Sequence, residues 1–437
     1  MRYKINIILV AIIAVFGFAL LEPSISAQNF SWPARLSANT LDIQGATQTQ
    51  SQWTLPDKLE EAKKLLRDSP PLKFVEKTVV KKLKNGKNLT SQKLSRKEIA
   101  IAVLDMETGQ IFEKRYWLDM DEIEKAIALT KTYRENTNNL PKFMPEDVKD
   151  DFTVTINWWN SYNSDLKILK AGSNKEFVII ANKYLMDNDA LAYPEEKTGK
   201  KYSDIVYAPY SSSMHTADFI SEGQKFLNEN VAQAFKELEE AGIESKTFPG
   251  KLITDTLTQT FVKNIFMTEQ TDPREMFASE DGGQRLTERA LIRLGMNKEK
   301  AFRYTVSKTG ASGLGQIMPG TYASIAKIYS KAHLLKDIDI GRVDIVNAIK
   351  ASVLVFDDHL ATVVDKVNRS SKSRAIFAKK TEGDIEEIRA AIYNGGPSKY
   401  KPLTGTISLA VSETVSFVKK FKMIRELRLF GSPQTQP

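Results

Sequence analysis

Ser307-Lys308-Thr309-Gly310-Ala311-Ser312-Gly313-Leu314-Gly315-Gln316-Ile317-Met318-Pro319, followed by Gly320-Thr321-Tyr322, is the stretch on which the fold and chemistry of this chain turn. Glycines at 310, 313 and 315 let backbone come close to a ligand ring, and the Gln316 amide offers both a donor and an acceptor. Taken alone, such a run can also be a glycine-rich turn. Upstream lies an apolar stripe at helical spacing, Ile253, Leu257, Phe261, Val262, Ile265 and Phe266, which predicts a helix over 251–271. At about 100° per residue Glu269 falls within about 60° of Phe266, 40° of Ile265 and 20° of Val262, so a carboxylate points where the apolar residues point. Burial raises the pKa of such a group toward the range of a general acid; the bland alternative is a helix-end residue that reaches back to water. Pro273 closes the helix just beyond it.

Downstream, Val343 to Val367 reads as a long apolar helix, and Ala390-Ala391-Ile392-Tyr393-Asn394-Gly395-Gly396-Pro397 and Glu413-Thr414-Val415-Ser416-Phe417-Val418 complete a half dominated by helical patterns. The other half differs. Ile99, Ile101 and Val103 alternate with smaller residues, and Glu107-Thr108-Gly109 separates them from Ile111 to Leu118, the pattern of a β-hairpin. Phe152 to Trp159 and Phe177 to Ile180 are further β-rich runs, while Asp57 to Arg67, Asp119 to Arg134 and Thr216 to Ala241 have helical periodicity. Ser211, Ser212, Ser213, His215 and Asp218 lie too close together in sequence for a hydrolase triad and lack a nucleophile elbow; they read as a polar turn before a helix. The expectation is an α+β domain over 72–245, of no assigned chemistry, followed by a mainly α domain over 246–430 and a tail over 431–437.

The N-terminus has its own logic. Arg2 and Lys4 precede an apolar run from Ile5 to Leu21, then Ser24-Ile25-Ser26-Ala27, the order of a secretory signal over 1–27 cleaved near Ala27, with an uncleaved anchor as the other reading. Residues 28–71 are expected to be a linker leading into structure. The chain has no cysteine, which excludes thiol chemistry and disulfides, and its histidines, His215, His333 and His359, lack metal-ligand spacing. A net charge of +8, with many lysines over 73–97 around Asn85-Gly86, suits a membrane or an anionic wall surface, although for 73–97 a solvated face is the reading preferred; the export signal argues against nucleic acid.

The run 307–319 resembles the GAxGLxQIMPxT motif of the lytic transglycosylase domain, 390–397 its AxYNxGP motif, and 413–418 its ETxxYV stretch with Phe417 in place of the usual Tyr. The resemblance covers roughly 248–425. It implies a lysozyme-like fold, a substrate in the glycan strands of peptidoglycan, a site in the periplasm or cell envelope, no cofactor and no metal. It further implies that Ser312, Gln316, Met318, Tyr393 and Asn394 line the sugar site beside one catalytic glutamate.

In most of the family that glutamate lies in an ESxF run shortly before the glycine motif. Here Glu269 is 41 positions upstream (310 − 269), so an insertion over 279–303, with a strand from Leu286 to Leu294, is expected over a cleft. Glu299, 11 positions upstream (310 − 299) in Glu299-Lys300-Ala301-Phe302, is the alternative, with better spacing but flanked by Lys298 and Lys300, which would hold it ionised. No second acidic residue is read in these motifs to make the usual glycosidase pair. The family's chemistry would then apply, in which the muramic 6-hydroxyl attacks its own anomeric carbon. A hydrolytic muramidase of the goose-lysozyme kind and a non-catalytic wall-binding protein are the competing expectations.

Overall fold

Thr54 begins the described fold by capping a helix: its hydroxyl accepts from the Asp57 amide at 3.2 Å, and α1 (Leu55–Asp68) follows with Leu59, Ala62 and Leu66 buried on one face. The structure is a computed structural model that describes residues 53–83, 85–124, 152–158, 160–187, 201–307, 309–408, 410 and 412–431. The expected signal over 1–27, most of the linker, the helix expected beyond Glu124 and the tail from 432 lie outside the described residues.

After α1 come β1 (Phe74–Lys82), β2 (Asn88–Asp105), β3 (Ile111–Asp119), β4 (Phe152–Trp158), β5 (Asp165–Lys170), β6 (Phe177–Asp187) and β7 (Tyr202–Tyr207). The chain's class is α+β, and its strand pairs are antiparallel. β2 holds the main sheet together. Its first half pairs with β1 in an exposed ribbon around Gly86, and its second half pairs with β3 on one edge and β6 on the other, with β7 outside β6. The alternation read from the sequence has a physical cause here. Ala100, Ala102 and Leu104 pack toward α1, whereas Ile99, Ile101 and Val103 join Val154 and Ile168 of the β4–β5 hairpin. Small side chains let the helix come close on one face; branched ones fill the other.

α2 (Ala217–Glu240) ends the first half, and the second consists of α3 (Gln259–Glu269), α4 (Pro273–Ala278), α5 (Gln284–Asn297), α6 (Pro319–Ile328), α7 (Ile338–Val343), α8 (Ile345–Asn368), α9 (Ser371–Phe377), α10 (Glu382–Gly395) and α11 (Ser412–Glu426), with a short ladder of β8 (Tyr400–Lys401) and β9 (Thr406–Ile407). α8 is the central helix, buried along most of its length. Among the described residues no helix is long and apolar enough to cross a membrane.

Two expectations are corrected. The segment 286–294 is helical, not a strand: Leu286, Ala290, Leu291 and Leu294 repeat every three to four residues and all meet the helical core. α5 is accordingly no loop over a cleft; it lies against α2, a helix that also packs on α8 and α3. The single helix expected over 251–271 is divided into a 3₁₀ turn, Ile253–Thr256, and α3. Leu257 is extended, and the Thr258 hydroxyl accepts from the Phe261 amide at 3.1 Å, so the helix starts afresh while Ile253 and Leu257 stay in the same core.

The α2–α5 contact fuses the two halves, and the described residues belong to one compact unit. Phe219 from α2 and Ile292 and Met296 from α5 lie in the core beneath the sheet, while Leu227 and Leu291 lie in the core of the helices. Across the same seam Asn297 exchanges hydrogen bonds with the Ala208 backbone at 2.8 and 2.9 Å, and the Tyr207 hydroxyl donates to Ala301 O at 2.8 Å. The helices touch backbone to backbone: a Cβ on Gly223 would lie 1.9 Å from Leu291 O, and one on Gly295 2.4 Å from Phe219 O. Gly223→Ala and Gly295→Ala are each expected to lower unfolding free energy by about 1–3 kcal/mol through overpacking, measured by urea denaturation; unchanged midpoints would show that the seam yields freely.

Candidate functional site

α3 delivers Glu269 as its last residue. Phe261, Val262, Ile265, Phe266 and Met267 anchor the helix in the core, and Glu269 is half-buried where it ends. A helix end inside a protein leaves carbonyls without donors. Lys420, from α11 and itself buried, meets part of that need: its ammonium donates to Thr268 O and, just past the helix, to Thr271 O, both at 2.6 Å, while the Thr271 hydroxyl donates to Met267 O at 3.0 Å. Its charge also suits the negative end of the helix dipole. Gln270, the next residue, donates from Nε2 to Leu314 O at 2.8 Å and Gly313 O at 3.3 Å, tying the helix end to the glycine-rich loop. Pro273 is not merely a stop; it opens α4, capped by Asp272.

The glycine-rich loop is a closed turn. Ser312 bridges to Val306 on one side and Ile317 on the other, and Gly310, Gly313 and Gln316 all have positive φ. For Gln316, at 48°, that conformation has a cost, and it persists because the surroundings over-determine it. Arg342 of α7 does most of this. Only 1% exposed, it donates to Gly310 O at 2.7 Å, Ile317 O at 3.2 Å and Ile338 O at 3.2 Å, and pairs with Asp339 at 2.7 Å. Gly313 lies against the backbone of the same residue, where a Cβ would stand 2.1 Å from Arg342 O. Gly315 faces Ser352, Tyr393 and Phe266, with an added Cβ at 2.6, 3.1 and 3.4 Å from them. Phe266 precedes Glu269 by three positions, so the loop, α3 and α10 converge here.

The other residues singled out in the sequence fall around this point. The Tyr393 hydroxyl donates to Gly315 O at 2.5 Å and lies 3.1 Å from the Ser352 hydroxyl; its ring packs at a tilt of 38° on Phe356 with centroids 4.7 Å apart. Asn394 accepts at Oδ1 from the Thr414 hydroxyl at 3.1 Å, which gives the first part of the 413–418 stretch a physical role. Phe417, at the position of the usual Tyr, is buried in the helical core. Gln316 turns its Nε2 back to Gly313 O at 2.8 Å, and Met318 is exposed. Ser312 is fully buried and its hydroxyl has no hydrogen-bond partner among the described residues.

Glu299 is elsewhere. It is exposed on a 3₁₀ turn, Lys298–Lys300, in a depression of about 460 Å³ shared with Glu60, Lys63, Arg67 and Asp204, none of which belongs to the motifs. His215, from the polar turn before α2, pairs with Glu288 at 2.8 Å and Tyr210 at 2.9 Å, not with a serine.

The electrostatics separate Glu269 from an ordinary surface acid. Burial holds its carboxyl above the usual carboxylate range; the Lys420 charge opposes this and the Glu413 charge adds to it. Burial also pushes Lys420 down, opposed by Glu269. Tyr393 is pushed up, first by burial and then by the negative charge of Glu269, which places the two side chains within electrostatic reach. Glu413, exposed on α11 and the first residue of the 413–418 stretch, is thus a second acid near the first, which corrects the expectation that the motifs hold none. Gln270, Arg342, Ser352 and Lys420 were also missed. Each acts through a contact between segments far apart in sequence, and only the Gln following Glu269 lay near enough to a motif to be noticed.

The arrangement can hold a proton on Glu269 near neutral pH and present it beside a hydroxyl and a rigid, glycine-lined backbone. Comparison of the chain with protein-family models, curated proteins and solved structures finds no match in any of the three.

Arg342→Met removes three bonds to buried or half-buried carbonyls and should destabilise the protein by at least about 2 kcal/mol, measured by denaturant unfolding; a loss within error would mean that the loop holds itself. Because the folded pKa of Glu269 is raised, the group favours the folded state as the neutral acid, fully at pH below its unfolded value, and loses that contribution as pH rises through the folded value and the buried carboxylate forms. Glu269→Gln should therefore raise the melting temperature at about pH 8, with the gain fading toward about pH 4. A gain independent of pH would contradict this assignment.

Proposed function

We propose that this chain is an exported peptidoglycan lytic transglycosylase of the periplasm or cell envelope, with a lysozyme-like catalytic domain over about 246–430 and Glu269 as its acid and base. The observation that carries the proposal is the placement of a half-buried, proton-retaining Glu269 at a helix end that Gln270 fastens to the glycine-rich loop, with Tyr393 in electrostatic reach. Glu299, exposed in a depression shared with none of the motif residues, gains no such support.

The chemistry follows from one proton. Glu269 gives it to the oxygen of the β-1,4 link between N-acetylmuramic acid and N-acetylglucosamine, and that C–O bond breaks. The muramic 6-hydroxyl then bonds to the anomeric carbon and yields its proton to the Glu269 carboxylate, which restores the acid and leaves a 1,6-anhydro end. No water is consumed and no cofactor is called upon. Tyr393 and Asn394 would hold the sugar, with exposed Met318 at the rim. Gln316 would use the Oε1 that its internal bond leaves free.

Glu413 is the specific observation that favours a second reading, hydrolysis. An exposed carboxylate near a protonated one is the pairing by which a glycosidase activates water. Digestion of purified peptidoglycan by the wild type, Glu269→Gln and Glu299→Gln, with products weighed by mass spectrometry, decides among these. Glu269→Gln should lower cleavage by about a hundredfold or more, Glu299→Gln should match the wild type, and the products should be anhydro species. Products heavier by one water would establish hydrolysis; loss of activity in Glu299→Gln alone would overturn the site, and an inert wild type the function.

A further inference from the structure

Away from Glu269, the first half carries a cavity of about 860 Å³ between the β1–β2 ribbon, β6 and the Tyr304–Val306 segment. That is the size of a ligand site. One of its walls holds Lys97. This side chain is 5% exposed, sits over the Tyr184 ring with its ammonium 3.7 Å from the centroid, and has a single long hydrogen bond, 3.3 Å to Leu185 O. No carboxylate among the described residues pairs with it within ion-pair distance; Asp187 acts on it only as a more distant charge. An ammonium can donate three hydrogen bonds, and a buried charge without a counter-ion is costly. Burial accordingly pushes Lys97 down to about 7. A second cation on the wall, Arg293, has a buried Nε with no hydrogen-bond partner. Lys93 adds an exposed charge at the rim.

The cavity is not uniformly basic. Asp121, Glu124 and Asp187 also line it, and Asp121 pairs with Lys77 at 2.7 Å. A polyanion would meet repulsion from these carboxylates. A ligand carrying both signs would not, and Tyr162, Tyr184 and Tyr304 give its body an aromatic lining. The far wall leads to the glycine-rich loop: Thr305 O accepts from the Gly313 amide at 3.2 Å, and Val306 bridges to Ser312.

We propose that this cavity is a second ligand site, which takes a short peptide bearing free carboxylates and an amino group and seats a carboxylate on Lys97. The choice of peptide as the class rests on the proposed action on wall strands, which carry such peptides; the cavity and its unpaired cation do not. A carboxylate on Lys97 supplies the missing counter-charge, and the exposed Glu124 on the lining receives the amine. Bound there, the peptide would contact the segment hydrogen-bonded to the loop beside Glu269.

The test is calorimetric titration of the full chain with the free tripeptide of the wall stem, and separately with an unsubstituted glycan tetrasaccharide. The wild type should bind the tripeptide, Lys97→Met should weaken it about tenfold or more, Lys97→Arg should stay close to the wild type, and Glu269→Gln should bind equally well. Lys97→Met removes a poorly satisfied buried ammonium and should melt no lower than the wild type. Lys93→Glu, an exposed change, weakens binding in the same direction and keeps the question answerable should Lys97→Met fold poorly. Equal binding by wild type, Lys97→Met and Lys93→Glu, or no tripeptide binding at all, overturns the proposal, as does a Lys97 dependence confined to the bare glycan. Tripeptide binding by a chain that does not cut peptidoglycan would sink the proposed function and leave this site standing; cutting without tripeptide binding would do the reverse.

Discussion

A helix that ends inside a protein must find donors for its last carbonyls, and the rest of this site depends on how α3 finds them. Lys420 reaches across from α11 to the carbonyl of Thr268, in the last turn, and to that of Thr271, just past the end, and Gln270 reaches across to the glycine-rich loop. Together they fix where Glu269 stands. α3 has no glycine or asparagine at its end to turn the chain; locally the Thr271 hydroxyl reaches back to Met267 O at 3.0 Å and Thr268 O at 3.3 Å, and the two long-range contacts add to this. The same lysine that holds the helix end also opposes the burial that keeps a proton on Glu269, so position and acidity are set by one side chain.

The loop that faces this helix is held from behind. Arg342 binds it at both ends, at Gly310 and Ile317, while Gly313 and Gly315 are pressed so close to Arg342, Ser352 and Tyr393 that any side chain would collide. Such packing explains the positive φ of Gln316, a conformation that a free loop would abandon. Rigidity of this kind is what a site needs if backbone groups are to meet a sugar in one geometry. The first half contributes through the α2–α5 seam, which joins the sheet's core to the core around α8.

Much of this was legible from residue patterns. The α+β class, the β2–β3 hairpin, α1, α2 and the apolar face of α3 follow from periodicities of two and 3.6, because burial of one face imposes them on the sequence wherever the partner lies. The 286–294 segment shows the limit: a short apolar run suits strand or helix, and it was the facing Gly223 and Gly295 that made room for a helix on α2. The break at Leu257–Thr258 was hidden for a related reason, since the apolar stripe continues through it and only a threonine cap marks the restart.

The sequence alone determined which residues could matter: a glutamate in phase with an apolar stripe, a glycine-rich run, a Tyr-Asn pair, all recognisable because their meaning is local. The tertiary structure alone decided which of them meet. Gln270 touching Leu314, Lys420 capping Thr268, Thr414 bonding Asn394 and the charge of Glu413 near Glu269 join positions tens to more than a hundred residues apart. A hydrogen bond or a Coulomb interaction depends on distance in space, and one chain read in order carries no record of that distance.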